Sequence, residues 1–109
     1  ADGKYAIAEQ GNHRVQLCPG GGAACTTIAG TGTSGSGNTQ LDTPTGVVIT
    51  ADGKYAIADH GNDRAQLCPG GGGAACTTIA GAAGSAGNGN TQLYGLTWVG
   101  IAADGKYAI

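Results

Sequence analysis

The sequence contains no phenylalanine and no methionine, and Trp98 is its only tryptophan. Large apolar side chains are therefore scarce among the 109 residues, whereas glycine alone occupies 23 positions. Such a chain buries little apolar surface, because small chains already bury a smaller fraction of their surface than large ones do. We expect this segment not to fold without support from neighbouring repeats or chains.

Positive charge is also scarce, since the chain has five Lys and Arg residues and a formal net charge of −2. A basic surface cannot be built from so few cations, which excludes nucleic acid as a partner. No run of eighteen apolar residues occurs, so the sequence predicts no membrane-spanning segment. The glycine-rich stretches lack the Lys-Ser/Thr pair and the helix of a phosphate-binding loop, and they are read as turns and linkers.

What the sequence does contain is a repeat. The string ADGKYAIADHGNDRAQLC at residues 51–68 returns almost unchanged at residues 1–18, and its first seven letters return at residues 103–109. The period is about fifty residues. Self-similarity at a fixed period of this size is typical of proteins built from stacked supersecondary units.

Each repeat reads as a meander of four short strands, which we call a, b, c and d. In the second copy they are predicted at residues 46–50, 54–58, 64–68 and 76–80. Asp52-Gly53 between two apolar runs predicts a hairpin turn. No stretch has a helical pattern. The Gly-, Ala-, Ser- and Asn-rich connections at residues 30–40 and 81–92 are expected to be flexible linkers between sheets.

Three segments in order carry a resemblance to a known family. They are PTGVVI at Pro44–Ile49, YAIAD at Tyr55–Asp59 and NDRAQ at residues 62–66, and the first copy has NHRVQ at residues 12–16. Together they resemble an NHL repeat over nearly the whole chain. The resemblance implies an all-β fold of tandem four-stranded antiparallel blades of the NHL β-propeller type, arranged around a central channel with strand a innermost.

The blades are incomplete in this chain. We predict a partial blade (b-c-d) with its linker at residues 1–45, a complete blade (a-b-c-d) with its linker at 46–93, and a partial blade (a-b) at 94–109. The third copy departs from the pattern, because Leu96-Thr97-Trp98 stands where the second has Pro44-Thr45-Gly46. This phase is expected either for a window of a longer array or for copies that exchange terminal strands.

The four cysteines form two local pairs, and each pair closes a glycine-rich loop. Cys18 is paired with Cys25, and Cys68 with Cys76. A zinc site would need further Cys or His ligands close by, and none stands at a suitable spacing. We therefore predict two disulfides across the c–d hairpins and a secreted, extracellular protein.

Arg14 and Arg64 stand at matched positions on strand c. They either bind an anionic ligand or bond backbone carbonyls and a carboxylate, Glu9 or Asp59, to tie blades together. The second, structural role is favoured because the position belongs to the repeat itself. His13 and His60 fall at different positions of the b–c turn, so they are expected to be exposed turn residues, not metal ligands or acid–base catalysts.

A run rich in hydroxyl groups follows the first blade and supplies candidate O-glycosylation sites for a secreted protein. The candidates are Thr31, Thr33, Ser34, Ser36 and Thr39. No Asn-x-Ser/Thr sequon is present, so N-glycosylation is not expected.

These observations predict a scaffold or binding module without a catalytic residue, a metal or a cofactor of its own. Its expected partners are further copies of itself or flanking repeats of a longer chain, and a protein or glycan is a candidate ligand. One alternative is a structural filament built by stacking or strand exchange of repeats, because a heterologous interface that does not close produces a fibre. A second alternative is a fragment of a metal-dependent propeller lyase, although no metal ligands are marked in the sequence.

Overall fold

The structure of the chain is a computed structural model that describes residues 3–71, 74–87 and 89–109. Over these residues the chain forms three antiparallel sheets of three, four and two strands and no α-helix. The predicted all-β class is confirmed. A single 3-10 turn at His60–Asn62 is the only departure from strands, turns and loops in the part of the chain described.

The first two sheets are copies of the same meander. The first sheet contains β1 (Tyr5–Glu9), β2 (Arg14–Cys18) and β3 (Thr26–Gly30). The second sheet contains β4 (Pro44–Ile49), β5 (Tyr55–Asp59), β6 (Arg64–Cys68) and β7 (Thr77–Gly81). In both sheets the spatial order equals the chain order, so every neighbour is joined by a hairpin.

The register repeats as closely as the sequence does. Tyr5 pairs with Cys18 in the first sheet, and Tyr55 pairs with Cys68 in the second. Each sheet has an irregularity at the same place, before Gln16 on β2 and before Gln66 on β6. The predicted strands are therefore present, with bounds shifted by one or two residues at their ends.

The third sheet is short. It pairs only β8 (Gly100–Ile101) with β9 (Tyr107–Ala108). Its register matches that of β4 and β5, because Ile101 lies opposite Tyr107 as Ile49 lies opposite Tyr55.

The predicted Asp-Gly hairpin is formed between β4 and β5. The amide of Thr50 donates to the carbonyl of Lys54 at 2.8 Å, and the amide of Gly53 donates to the carbonyl of Thr50 at 3.0 Å. Gly53 has a φ of +84°, which a residue with a Cβ adopts only at a cost. The same two bonds close the turn between β8 and β9.

The core lies between the first and second sheets, and the chain that connects them contributes to it. Leu41, on this connection, is fully buried. The cluster also contains residues from strands of both sheets and the second disulfide, namely Val15, Ile28, Ala29, Ile57, Cys68 and Cys76. Neither sheet has a complete core alone, so burial of apolar surface holds the two repeats together.

The residues that lead into the third sheet pack against β4. Leu96 and Val99 are buried, and the Trp98 ring lies so close to Gly46 that a Cβ at position 46 would stand 2.7 Å from the ring. The hydroxyl of Thr45 donates to the carbonyl of Thr97 at 3.0 Å. In the described ranges, no helix is long and apolar enough to cross a bilayer.

Candidate repeat-to-repeat binding site

The turn between β5 and β6 carries a buried ion pair. Asp59 ends β5 and Arg64 begins β6, so the antiparallel register places them opposite each other. Arg64 Nε donates to Asp59 Oδ2 at 2.8 Å, and the two side chains are only 5% and 0% exposed. Asn62 Nδ2 donates to the same oxygen at 2.9 Å, while the amide of Asp42 donates to Asp59 Oδ1 at 2.7 Å. Both carboxylate oxygens of Asp59 are therefore hydrogen-bonded.

The rest of the Arg64 guanidinium reaches back to the loop that leaves the first sheet. Nη1 donates to the carbonyl of Ser36 at 3.0 Å, and Nη2 donates to the carbonyls of Gly37 at 3.1 Å and Gln40 at 3.0 Å. We call these three carbonyl oxygens the carbonyl socket. Asn62 adds a bond from Nδ2 to the carbonyl of Gly35 at 2.8 Å. The fork of donors on one arginine thus joins a carboxylate of its own repeat to the backbone of the preceding repeat.

The loop of residues 35–41 presents this socket because it is ordered by its own hydrogen bonds. The amide of Gly35 donates to the carbonyl of Leu41 at 3.3 Å, and that of Gln40 donates to the carbonyl of Gly37 at 3.1 Å. The Gln40 side chain accepts from the amide of Gly37 through Oε1 at 3.2 Å. The expectation that this linker is too polar and flexible to pack is wrong, because its backbone carbonyls bind Arg64 of the following repeat.

In the second connection, residues 87 and 89–93 make the same kinds of hydrogen bond. The amide of Gly87 donates to the carbonyl of Leu93 at 3.2 Å, and that of Gln92 donates to the carbonyl of Gly89 at 3.0 Å. Gln92 Oε1 accepts from the amide of Gly89 at 3.3 Å. In sequence the two loops differ only in that the first has Ser36 where the second has Asn88. The chain therefore carries two loops of one type, and the first holds Arg64.

The counterpart of the buried ion pair in the first sheet is half-exposed. Arg14 Nε donates to Glu9 Oε2 at 2.6 Å, with side chains that are 34% and 28% exposed. Asn12 Nδ2 donates to Glu9 Oε1 at 2.9 Å. The hydrogen bond from Arg14, followed by that from Asn12, lowers the pKa of Glu9 below its usual 4.5.

A groove of about 320 Å³ opens beside this pair on the face of β1 and β2. Its lining residues are Ile7, Glu9, Arg14, Gln16, Cys18 and Cys25. The same positions of the second sheet are buried under the connection from the first repeat, and Ile57 is 0% exposed where Ile7 is 45% exposed. The groove on the first sheet therefore corresponds to a surface of the second sheet that the connection from the first repeat covers.

The two histidines also bind across repeats. His13 Nδ1 accepts from the amide of Thr43 at 3.0 Å, and the carbonyl of Leu96 lies 2.7 Å from His60 Nδ1, which donates to it as Nδ1–H. Both rings are half-buried. The expectation of exposed turn residues is therefore wrong, because each ring lies against the segment that enters the following repeat.

Both predicted cysteine pairs are disulfide-bonded, Cys18 with Cys25 and Cys68 with Cys76. Each bond closes the β-hairpin at the end opposite the arginine. Cys68 and Cys76 are buried, whereas Cys25 is exposed. The difference follows from the groove, which leaves the first disulfide uncovered.

The candidate O-glycosylation residues lie on the connection between the first two sheets. The side chains of Thr31, Thr33, Ser34 and Ser36 are exposed, and that of Thr39 is half-buried. Ser36 contributes its carbonyl, not its hydroxyl, to the socket. Attachment of glycans here stays a prediction.

Within the described ranges, no three His, Cys, Asp or Glu side chains come close enough together to hold a metal ion. The polar groups that do converge are Asp59, Asn62, Arg64 and the carbonyl socket, and they bind one another. The arrangement can hold an arginine against a glycine-rich loop. The sequence identified the arginine and the carboxylate, but it missed the loop, whose signal was the recurring G-x-G-N-T-Q-L string.

Comparison with known proteins adds no further assignment. The chain matches no protein-family model and no curated protein sequence.

Proposed function

We propose that this chain is part of an extracellular scaffold built from NHL-type β-propeller blades, without a catalytic site of its own. One observation carries the proposal. The buried Arg64 of the complete repeat bonds its own Asp59 and the backbone of the preceding repeat. A side chain used in this way holds repeats together.

The disulfides support the extracellular part of the proposal. Two disulfides in a chain of this size are consistent with an oxidising compartment, where small domains with few large apolar residues use such links. The proposal also includes secretion and a protein or glycan ligand. It includes as well the closed ring of blades that the family resemblance implies.

An open filament is the second candidate, and a specific observation favours it. One end of the stack carries the groove on β1 and β2, and the other carries the loop of residues 87–93 with the two-stranded third sheet beside it. Unlike ends that fit each other produce a heterologous contact, which closes into a ring only if the rotation per unit allows it.

Electron microscopy of the disulfide-intact chain, combined with light scattering over a range of concentrations, tests both candidates. Rings of fixed diameter support the closed scaffold, and particles of unlimited length support the filament. A 10.5 kDa monomer at every concentration contradicts both.

A further inference from the structure

The groove and the second loop are two halves of one contact that the chain makes internally. Inside the chain, the loop of residues 35–41 lies over β5 and β6, where it binds Arg64 and inserts Leu41 into the core. The first sheet has the matching groove with Arg14, and the loop of residues 87–93 has the matching hydrogen bonds with Leu93. Each half of the second contact is present in the chain, but on opposite sides of the stack.

We propose that a second copy of this chain binds its β1–β2 groove to the loop of residues 87–93 of the first copy. The proposal rests on the proposed function, because it names the partner and the atoms through which repeats stack. The internal contact of the first and second repeats is its template.

The template assigns the bonds. Arg14 donates to the carbonyls of Gly89 and Gln92 of the other copy, as Arg64 donates to those of Gly37 and Gln40. Asn12 donates to the carbonyl of Gly87, as Asn62 donates to that of Gly35.

Two further contacts complete the assignment. The amide of Cys25 donates to the carbonyl of Asn90, as that of Cys76 donates to the carbonyl of Asn38 at 2.8 Å. Leu93 covers Ile7 and the first disulfide, as Leu41 covers Ile57 and the second. The half-exposed ion pair and the open groove are both buried by this contact.

One strand has to move. Ile109 lies beside Leu93 and Trp98, in the place that Ile7 of the second copy would take. The segment that yields is identical in sequence to the segment that replaces it, since residues 103–109 and 1–7 are both ADGKYAI. β9 is paired to β8 through two residues only, so β1 of the second copy replaces a short ladder with an equivalent one and adds β2 and β3 behind it.

The contact is heterologous, because it joins a groove on one copy to a loop on the next. Each assembly still offers an unoccupied groove at one end and an unused loop of residues 87–93 at the other, so association continues. The contact can therefore be tested with two variants, one altered only in the groove and the other altered only in the loop.

The experiment uses the full disulfide-bonded chain in four forms: wild type, Arg14→Gln on the groove, Leu93→Asp on the loop, and Lys54→Gln as a control. Lys54 is exposed on the β4–β5 turn, so the control loses the same charge away from both faces. Circular dichroism and thiol counting check that each variant is folded and oxidised. If Leu93→Asp does not fold, Gln92→Ala replaces it, because it removes the side chain that closes the same loop.

Sedimentation velocity and native mass spectrometry then measure association. Wild type and Lys54→Gln are expected to form species that grow with concentration. Arg14→Gln and Leu93→Asp should each weaken association at least about 30-fold, because truncating one partner of a buried charged contact has an effect of this order. A mixture of the two variants should give dimers and nothing larger, since it contains one intact groove and one intact loop.

The outcomes separate the proposal from the proposed function. If wild type assembles while Arg14→Gln assembles equally well, or if the mixture gives no dimers, the contact is overturned although the scaffold proposal stands. If wild type is monomeric at every concentration, both fail.

Discussion

Two arginines at one position of the repeat behave differently because their surroundings differ. Arg64 bonds a fully buried carboxylate and three carbonyls, whereas Arg14 bonds a half-exposed carboxylate. An exposed ion pair contributes little to stability because water screens it. A buried pair leaves an uncompensated charge when one partner is removed, and the loss is then large.

Replacing Arg64 with Gln should therefore lower the free energy of unfolding by about 3–5 kcal/mol. The matched change Arg14→Gln should cost about 0–1 kcal/mol. Urea unfolding followed by circular dichroism, at a concentration where the chain is monomeric, measures both values. Equal losses for the two variants would contradict the assigned difference in burial.

The carboxylate of Glu9 provides a pH-dependent test. Its pKa is lowered in the folded chain by the hydrogen bonds from Arg14 and Asn12, so the bond contributes to stability above the unfolded pKa. That contribution is lost as the pH falls through the lowered folded pKa. In an NMR titration, Glu9 should titrate below 4.5 in wild type and move back toward that value in Arg14→Gln. An unchanged midpoint in the variant would show that Arg14 is not the cause.

The polar side chains of the site could be predicted in part from the sequence. The repeat placed Arg64 opposite Asp59, because five residues across a tight turn bring strand ends together. The carbonyl partners could not be predicted, since a backbone oxygen has no residue type of its own. The partners of His13 and His60 were missed for a related reason, because they are backbone groups about thirty residues away along the chain.

At the scale of elements, hairpins were predictable and the ordered loops were not. Asp52-Gly53 marks its turn with a residue that accepts positive φ. The loop of residues 35–41 has the composition of a flexible linker, but it is held by backbone hydrogen bonds and by a bond from the amide of Gly37 to Gln40 Oε1. Composition indicates how flexible a segment can be, but it does not show which hydrogen bonds the folded segment makes.

The two disulfides should respond differently to limited reduction. Cys68 and Cys76 are buried, whereas Cys25 is exposed, so a reductant reaches the Cys18–Cys25 bond first. Alkylation without reduction should label none of the four cysteines. Partial reduction followed by alkylation and peptide mass spectrometry should label Cys18 and Cys25 before the other pair.

Complete reduction should lower the free energy of unfolding by about 2–3 kcal/mol for each disulfide-closed hairpin loop. The two bonds close loops of nearly equal size, with sequence separations of 7 and 8, so loop length cannot account for a difference in their rates of opening. Equal rates would contradict the assigned exposure of the first pair.

At the scale of the whole molecule, Leu41 joins the two large sheets. It stands on the connection but is fully buried in the cluster that both sheets share. Its counterpart Leu93 is half-buried and lies beside Gly81 of β7 and Ile109. Length and composition indicated that the repeats need each other, but only the packing identifies this residue as the link between them.

Replacing Leu41 with Ala should lower the free energy of unfolding by about 2–5 kcal/mol, the range for deleting a buried leucine side chain. The matched change Leu93→Ala should lower the free energy of unfolding by less, because Leu93 is only half-buried. Circular dichroism reports on both large sheets, and fluorescence of Trp98, which packs on β4, reports on the second sheet. For Leu41→Ala both signals should shift together, and a shift in one signal alone would show that the sheets unfold independently.

The recognition of Arg64 by backbone carbonyls has a consequence for how such a chain can evolve. Because the socket is made of main-chain oxygens, the residue type at a socket position can differ between repeats, and in sequence Ser36 of the first loop corresponds to Asn88 of the second. A duplicated unit is compatible with its neighbours from the moment it arises. Gain or loss of whole units by recombination would then change the length of the array without a compensating mutation at any joint.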